Sequence, residues 1–329
     1  MKLLILSADD VRQALPMREA IDAMRQAFAD LSSGEAVVPQ RTHIATQAPA
    51  PPGDALFMPS YSPRLKAMGL KVVTLFEQNR ALGLPFIQAL VMVIDAASGA
   101  PVALLDGAAL TAIRSGAASG LATDLLARPD ASCVAVFGAG VQARTQLEAV
   151  CAVRAVRRAR VVDVIPGSAE RFAQDMRARL GLPVEAAASA AEALADADIV
   201  CTATTSAVPV FADRELAAGA HINAMGAYKP HVREIPAETV CRARVVVDQA
   251  EAAWAEAGDL ILPLEAGLLG RSHVAAELGE LVAGRKAGRT SAGEVTLFKS
   301  VGVAIQDLAA ACRALSRARE RGLGTAITL

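Results

Sequence analysis

Three cations stand in apolar or small-residue surroundings in the first third of the chain: Arg41 in "PQRTHI", Lys71 in "MGLKVVTLF" and Arg114 in "LTAIRSGAASG". An ammonium inside a strand-like apolar run is costly to bury without a partner. A guanidinium among Ala, Ser and Gly has room for a carboxylate to pair with it through two hydrogen bonds. Together such groups could hold a small organic acid and exchange a proton with it. Taken singly, each also fits a surface residue or a structural ion pair. His43 lies two residues after Arg41 and shares its face if the segment is extended.

A second cluster gives these cations a reaction to serve. In "CVAVFGAGVQARTQLEAV" a strand runs into Gly138, Ala139, Gly140, Val141, Gln142 and Ala143, and a helix follows. The first Gly permits a tight turn, the second lets backbone approach a pyrophosphate, and the small third position allows close helix packing. The helix N-terminus then offers free N–H groups to phosphate. Asp163 ends the next strand, at the spacing expected of a ribose-binding acid. It would repel a 2′-phosphate, and Val164 and Ile165 supply no compensating cation, so NAD(H) is favoured over NADP(H). Thr202, Ala203 and Thr204, in "CTATTS" at another strand end, are cofactor candidates and equally turn residues. Met225 and Gly226 join the cofactor set from "HINAMGAYKPHVREIP", where a buried strand breaks into a polar loop carrying Tyr228.

The elements that must position these groups fall into two patterns. "PMREAIDAMRQAFADL" begins with Pro at a favoured first helical position and repeats Met17, Ile21, Met24, Phe28 and Leu31 at helical spacing. "GLKVVTLF" and "FIQALVMVID" read as strands, and "AASG" turns the latter into "APVALL" as a hairpin. "TAIRSGAASGLATDLLA" returns to helix, and the Pro-rich stretch 47–54 reads as an exposed loop. From about residue 130 short apolar strands alternate with helices, the mark of a parallel sheet covered on both faces. The fold class is α/β: a Rossmann-type doubly wound sheet at 123–302, plus a mixed α+β substrate and dimerisation domain at 1–122, completed by the C-terminal helix 303–329.

Composition narrows the partners. A chain of 329 residues with net charge −1 and 53% hydrophobic residues gives no electrostatic footprint for nucleic acid or an anionic membrane. "LLIL", followed at once by Asp9 and Asp10, does not read as a signal peptide, and no run is apolar enough to span a bilayer. Five dispersed cysteines without a C-x-x-C pair read as buried free thiols in a reducing, cytoplasmic compartment. No histidine spacing suggests a metal site.

The cations, the Gly loop, "INAMGAYKP..RE", "AELGELVAG" and "TLFKSVGVAIQDLA" together resemble the ornithine cyclodeaminase and μ-crystallin family over nearly the whole chain. The resemblance implies a homodimer and NAD(P)-dependent chemistry at a C=N bond. It implies that Arg41, Lys71 and Arg114 contact an amino- or imino-acid substrate, with Arg114 on its carboxylate. Ser300 would then lie at the nicotinamide and Val301 at the substrate. Deaminating members carry an Asp where Tyr228 stands here, and a phenol is a poor base at neutral pH. That departure favours direct reduction of a cyclic ketimine, Δ1-pyrroline-2-carboxylate to L-proline, with Lys71 or a bound water donating the proton and Tyr228 lining the pocket. Ornithine cyclodeamination, an alanine or opine dehydrogenase, and a μ-crystallin-type binding protein are the alternatives.

Overall fold

The computed structural model describes residues 2–48 and 50–328. Pro49 of the expected loop, and Met1 and Leu329 at the ends of the expected first domain, lie outside the described residues. Two compact units result, 1–114 with 303–329, and 115–302.

The first unit begins with β1 (Lys2–Leu6), α1 (Ala8–Ala14) and α2 (Met17–Ser32). A meander follows: β2 (Thr42–Thr46), β3 (Gly53–Ser62), β4 (Ala67–Leu75), β5 (Ile87–Asp95) and β6 (Pro101–Asp106). Helix α3 (Gly107–Leu126) starts in this unit and ends in the other. The dividing point at 114/115 falls inside that helix, ahead of the 122/123 boundary read from the sequence. The change of packing partner explains it, because at Gly116 the helix abuts Thr145 so closely that a Cβ would sit 2.5 Å from its carbonyl oxygen.

The second unit runs through β7 (Cys133–Phe137), α4 (Val141–Val153), β8 (Arg158–Val162), α5 (Ser168–Leu180), β9 (Val184–Ala186), α6 (Ala190–Leu194) and β10 (Ile199–Thr202). It continues with β11 (His221–Ala224), α7 (Ala237–Arg242), β12 (Arg244–Val247), α8 (Ala250–Glu256) and α9 (Gly258–Glu265). β13 (Val274–Glu277), α10 (Leu278–Val282) and β14 (Thr296–Lys299) close it. The chain returns to the first unit with α11 (Ala304–Arg321) and β15 (Thr325–Thr328).

The first sheet is mixed, in the order β15-β1-β6-β5-β4-β3-β2. The expected hairpin is β5 and β6, antiparallel with Val91 opposite Leu105. β15, which pairs antiparallel with β1, lies in the stretch expected to be the end of the C-terminal helix, which instead stops at Arg321 ahead of Gly322. β3 begins at Gly53, inside the stretch read as loop, because a residue without Cβ lets the Phe76 ring lie against it. On α2 the face of Met17, Ile21, Met24 and Phe28 is buried, while Leu31 is only half-buried. Pro16 caps that helix from extended backbone instead of opening it, its carbonyl accepting the Ala20 N–H.

The second sheet is parallel throughout, in the order β13-β12-β14-β11-β10-β7-β8-β9. Connections leave β7 toward β8 on one side, while β10 continues on the other, which makes the β7/β10 crevice the switch point where such sheets bind ligands. All five cysteines are free, but only Cys133 and Cys201 are buried; Cys151, Cys241 and Cys312 are partly exposed. Among the described residues no helix is long and apolar enough to cross a membrane.

A polar seam crosses this sheet. The His221 ring is fully buried, with Nδ1 3.0 Å from Thr296 Oγ1 and Nε2 3.2 Å from Asn223 Oδ1. Burial, helped by the positive charge of Arg289, pushes its pKa down to about 3. The unfolded chain therefore binds a proton that the folded one refuses, between the ordinary value near 6.5 and about 3. This contribution to stability is whole above pH 6.5 and is lost as pH falls through that window. The melting temperature should decline from pH 6.5 to 4 more steeply in the native protein than in His221→Gln, as differential scanning fluorimetry can measure. Parallel declines would exclude the histidine as the cause.

Candidate functional site

Strict alternation along β4 buries Ala67, Gly69, Lys71, Val73 and Leu75 on one face. Lys71 is thus carried inward by register, opposite Met58 of β3 and Val91 of β5, and is 3% exposed. Its Nζ lies 2.7 Å from Oδ2 of Asp307 on α11. The other oxygen of that carboxylate accepts a hydrogen bond from Arg114 Nε at 2.9 Å, and Arg114 Nη1 donates to Gln306 Oε1 at 2.6 Å. Residues 304–311 are buried all round, so this end of α11 is inserted into the unit's core. Gly69 permits the insertion, since a Cβ there would come within 3.0 Å of Leu308. Asp307 also sits in the first turn of its helix, where the macrodipole favours a carboxylate.

Burial lowers the Lys71 pKa to about 8; Asp307 opposes the shift, and the charges of Arg114 and Arg41 add to it. For Asp307 burial works toward a higher value, but Arg114 and Lys71 outweigh it and hold the carboxyl below its usual range. Lys71 and Asp307 are therefore both charged at neutral pH. The three cations singled out in the sequence therefore act on one another, with Arg41 half-buried and felt at Lys71. Asp307 takes the Nε edge of the guanidinium and Gln306 takes one hydrogen of Nη1, so Nη2 and the second Nη1 hydrogen are what Arg114 can offer a second carboxylate. His43 is not drawn into the cluster: its ring is half-exposed and pairs with Asp54 Oδ1 at 2.7 Å across β2 and β3.

In the second unit the buried strand β7 ends at Gly138, whose φ of 94° belongs to the left-handed region. A Cβ at Gly138 would lie 2.7 Å from the Ala203 carbonyl oxygen. Gly140 is different, because a Cβ there would meet nothing within 4 Å. No protein atom demands a glycine at that exposed position, which is what a loop approached by a ligand requires. Gly140 caps α4, so Val141 and Gln142 open the helix with N–H groups toward that space, and Ala143 is packed beneath. These residues fit a dinucleotide, with the pyrophosphate at the N-terminus of α4. Asp163 fixes the loop, accepting the Ala139 N–H at 2.7 Å and the Ile165 N–H at 2.8 Å. Its carboxylate keeps lone pairs for ribose hydroxyls.

Two carboxylates absent from the sequence reading hold the strand-end loops. Glu234, fully buried, accepts from Thr202 Oγ1 at 2.9 Å, and from the Thr204 N–H, Thr204 Oγ1 and the Gly226 N–H, each at 2.7 Å. The Ala227 N–H adds a fifth bond at 3.2 Å. Burial raises the Glu234 pKa and Asp259 adds to this, against the opposing charge of Lys299. Lys299 itself is buried against Asp259 Oδ2 at 2.8 Å and donates to the Ala227 carbonyl at 2.5 Å. Asp248 plays the same part for the turn after β14, accepting from Ser300 Oγ at 2.7 Å and from the N–H groups of Val301 and Gly302 at 2.9 and 2.7 Å.

These bonds revise two expectations. The Thr202 and Ser300 side chains, assigned to the cofactor from the sequence, are buried and turned onto Glu234 and Asp248. Both are anchors of loops whose half-buried members are Ala203, Thr204, Met225, Gly226, Tyr228 and Val301. Asp307 and Lys299, but not Glu234 beside Arg233 in its polar loop, share the signal that exposed Lys71, an isolated charge in an apolar run. Applied to "VAIQDLAAA" and "TLFKS", that criterion finds two of the three.

Residues 1–322 match the sequence profile of the ornithine cyclodeaminase/mu-crystallin family. A Δ1-pyrroline-2-carboxylate reductase of Bacillus cereus is 40% identical over 326 residues, covering 99% of both chains. The solved structure of the Thermococcus litoralis Δ1-pyrroline-2-carboxylate reductase in complex with NADH and L-proline is 43% identical, with a TM-score of 0.94 over 98% of this chain and 99% of that one. An archaeal alanine dehydrogenase dimer with bound NAD is 33% identical and superposes with a TM-score of 0.93 over 100% of each chain.

The two loop glycines should separate on substitution. Gly140→Ala should melt within about 1 kcal/mol of the native protein, a cap-sized change, yet weaken NADH binding about tenfold or more, measured by fluorescence titration. Gly138→Ala should unsettle the fold itself. Undiminished NADH affinity in the Gly140 variant would move the pyrophosphate away from this loop.

Proposed function

The chain belongs to the ornithine cyclodeaminase/mu-crystallin family, and we propose that it is an NAD(P)H-dependent reductase of cyclic imino acids that converts Δ1-pyrroline-2-carboxylate to L-proline. One observation carries this reading: Arg114 and Lys71, a carboxylate-binding fork and a charged proton donor, are held on the two oxygens of one buried carboxylate. The name and bound ligands of the T. litoralis structure support it.

Bound NADH supplies the hydride that reduces the C=N carbon. The residues of this chain prepare the substrate for it. The Nη1–Nη2 end of Arg114, with the charge of Arg41, holds the ring carboxylate and fixes the plane of the imine. Lys71 Nζ gives a proton to the ring nitrogen, so that the carbon accepts hydride as an iminium, and the lysine regains its proton from solvent after product leaves. Cyclodeamination would need a base to strip the ornithine amine, and Tyr228 is not one. Glu234 does not replace it, being buried and committed to Thr202 and Thr204 at the end of β10 and to Gly226 of its own loop.

NADH is the preferred cofactor, because Asp163 would repel a 2′-phosphate. The archaeal alanine dehydrogenase dimer supports a homodimer here, and the five free thiols support a reducing, cytoplasmic setting.

Oxidation of NADH and NADPH should be followed with Δ1-pyrroline-2-carboxylate, Δ1-piperideine-2-carboxylate, and pyruvate with ammonia, alongside ammonia release from ornithine. Rapid NADH oxidation with the pyrroline is expected, and fast proline formation from ornithine would sink the proposal. Losing the carboxylate clamp in Arg114→Ala should raise KM on the order of 100-fold, from about 2–3 kcal/mol of charge-assisted bonding. With Lys71 active as the ammonium, kcat/KM for reduction should fall as pH rises through about 8. A flat profile from pH 7 to 10 would remove Lys71 from the proton transfer.

A further inference from the structure

The proposed reaction does not require Asp307 to touch substrate, yet among the described residues it alone pairs with both Lys71 and Arg114. We propose that Asp307 is a positioning residue. One oxygen keeps Lys71 in its charged, donating form, while the other turns Arg114 so that the Nη1–Nη2 end of its fork is presented. This inference rests on the reading of Lys71 and Arg114 given above and extends it to a third residue.

The geometry is specific. Oδ2 lies 2.7 Å from Lys71 Nζ and Oδ1 lies 2.9 Å from Arg114 Nε, so one rigid carboxylate fixes the spacing of donor and clamp. Gln306, the preceding residue, accepts from Arg114 Nη1 and from the Val303 N–H at 3.3 Å, which tethers the same guanidinium to the start of α11. Asp307 is itself held where a neutral side chain would be at a disadvantage, in the first helical turn and between two cations. Around Lys71 the charged groups are Asp307 from α11, Arg114 from α3 and Arg41 ahead of β2. The flanking strand partners, Met58 and Val91, carry no charge.

The consequences are directional. Of the charged neighbours only Asp307 favours the ammonium; burial, Arg114 and Arg41 all oppose it. Remove the carboxylate and Lys71 is left to those three, so its titration moves to lower pH. An asparagine at 307 would sharpen the effect, since its NH₂ could face Lys71 only as donor against donor unless the amine is neutral. Arg114 would lose its fixed edge at the same time, and substrate affinity would fall with it.

The test compares native protein, Asp307→Asn and Asp307→Glu, each carrying lysine labelled with ¹³C at Cε, the Lys71 signal being assigned from Lys71→Arg. NMR titration should place the Lys71 midpoint at least one pH unit lower in the Asn variant than in the native protein. The Glu variant, which keeps the charge, should restore most of the difference. The alkaline limb of kcat/KM for pyrroline-2-carboxylate reduction should move by the same amount, with a loss of about tenfold at pH 8 that shrinks at pH 6. An unchanged midpoint in Asp307→Asn overturns the proposal. If the midpoint moves and the kinetic limb does not, Asp307 does control Lys71 and it is the proton-donor role of Lys71 that fails. Should the Asn variant not fold, Asp307→Ser, which fits the same space, takes its place with the same expected shift.

Discussion

Two cations buried on one carboxylate is the constraint from which the first unit is built. Removing either side of such a cluster leaves uncompensated charge in a low-dielectric interior, typically a cost of about 3–5 kcal/mol. Every local feature around it serves to keep Lys71, Arg114 and Asp307 matched. The alternation of β4 delivers the lysine inward, Gly69 gives α11 room to approach that strand, and the buried start of α11 brings Asp307 and Gln306 side by side. The arrangement favours chemistry over stability. A core of this size could be filled by apolar side chains, and the price of filling it with ions is returned only if the ions handle a charged substrate.

The second unit solves a different problem with the same residue type. Its task is to fix loops at the carboxyl ends of parallel strands, where the backbone has no ladder to join. Asp163, Glu234 and Asp248 each collect N–H or hydroxyl groups from such a loop. Glu234 alone ties the end of β10 to the exit of β11. The polar break after "HINAM" is thus a loop drawn inward by a glutamate eight residues beyond Gly226, and Tyr228 is carried on it.

What could be read from sequence was whatever depended on neighbours in sequence. The Gly loop was legible because strand, glycines and helix are consecutive. Lys71 was legible because an ammonium in a β-branched run is anomalous in itself. Asp307 was missed because its meaning lies in Arg114, 193 residues away. Thr202 reads as a cofactor candidate from its place at a strand end, and Ser300 from the family resemblance, while their acceptors are hidden by distance: Glu234 is 32 residues from Thr202, and Asp248 is 52 from Ser300. β15 escaped notice because a short edge strand has almost no buried face to impose a pattern. The division of α3 between two units follows from its packing partner, and no local breaker marks it.

The proposed mechanism depends most directly on where an imino acid's carboxylate is bound. The direct measurement is a crystal structure of the protein with NADH and L-proline. The proline carboxylate should lie on the Nη1–Nη2 end of Arg114, with Nε still on Asp307 and the ring nitrogen within hydrogen-bonding reach of Lys71 Nζ. A proline bound elsewhere, with the Lys71, Asp307 and Arg114 cluster bonded only to itself, would make that cluster a structural ion network and contradict the mechanism.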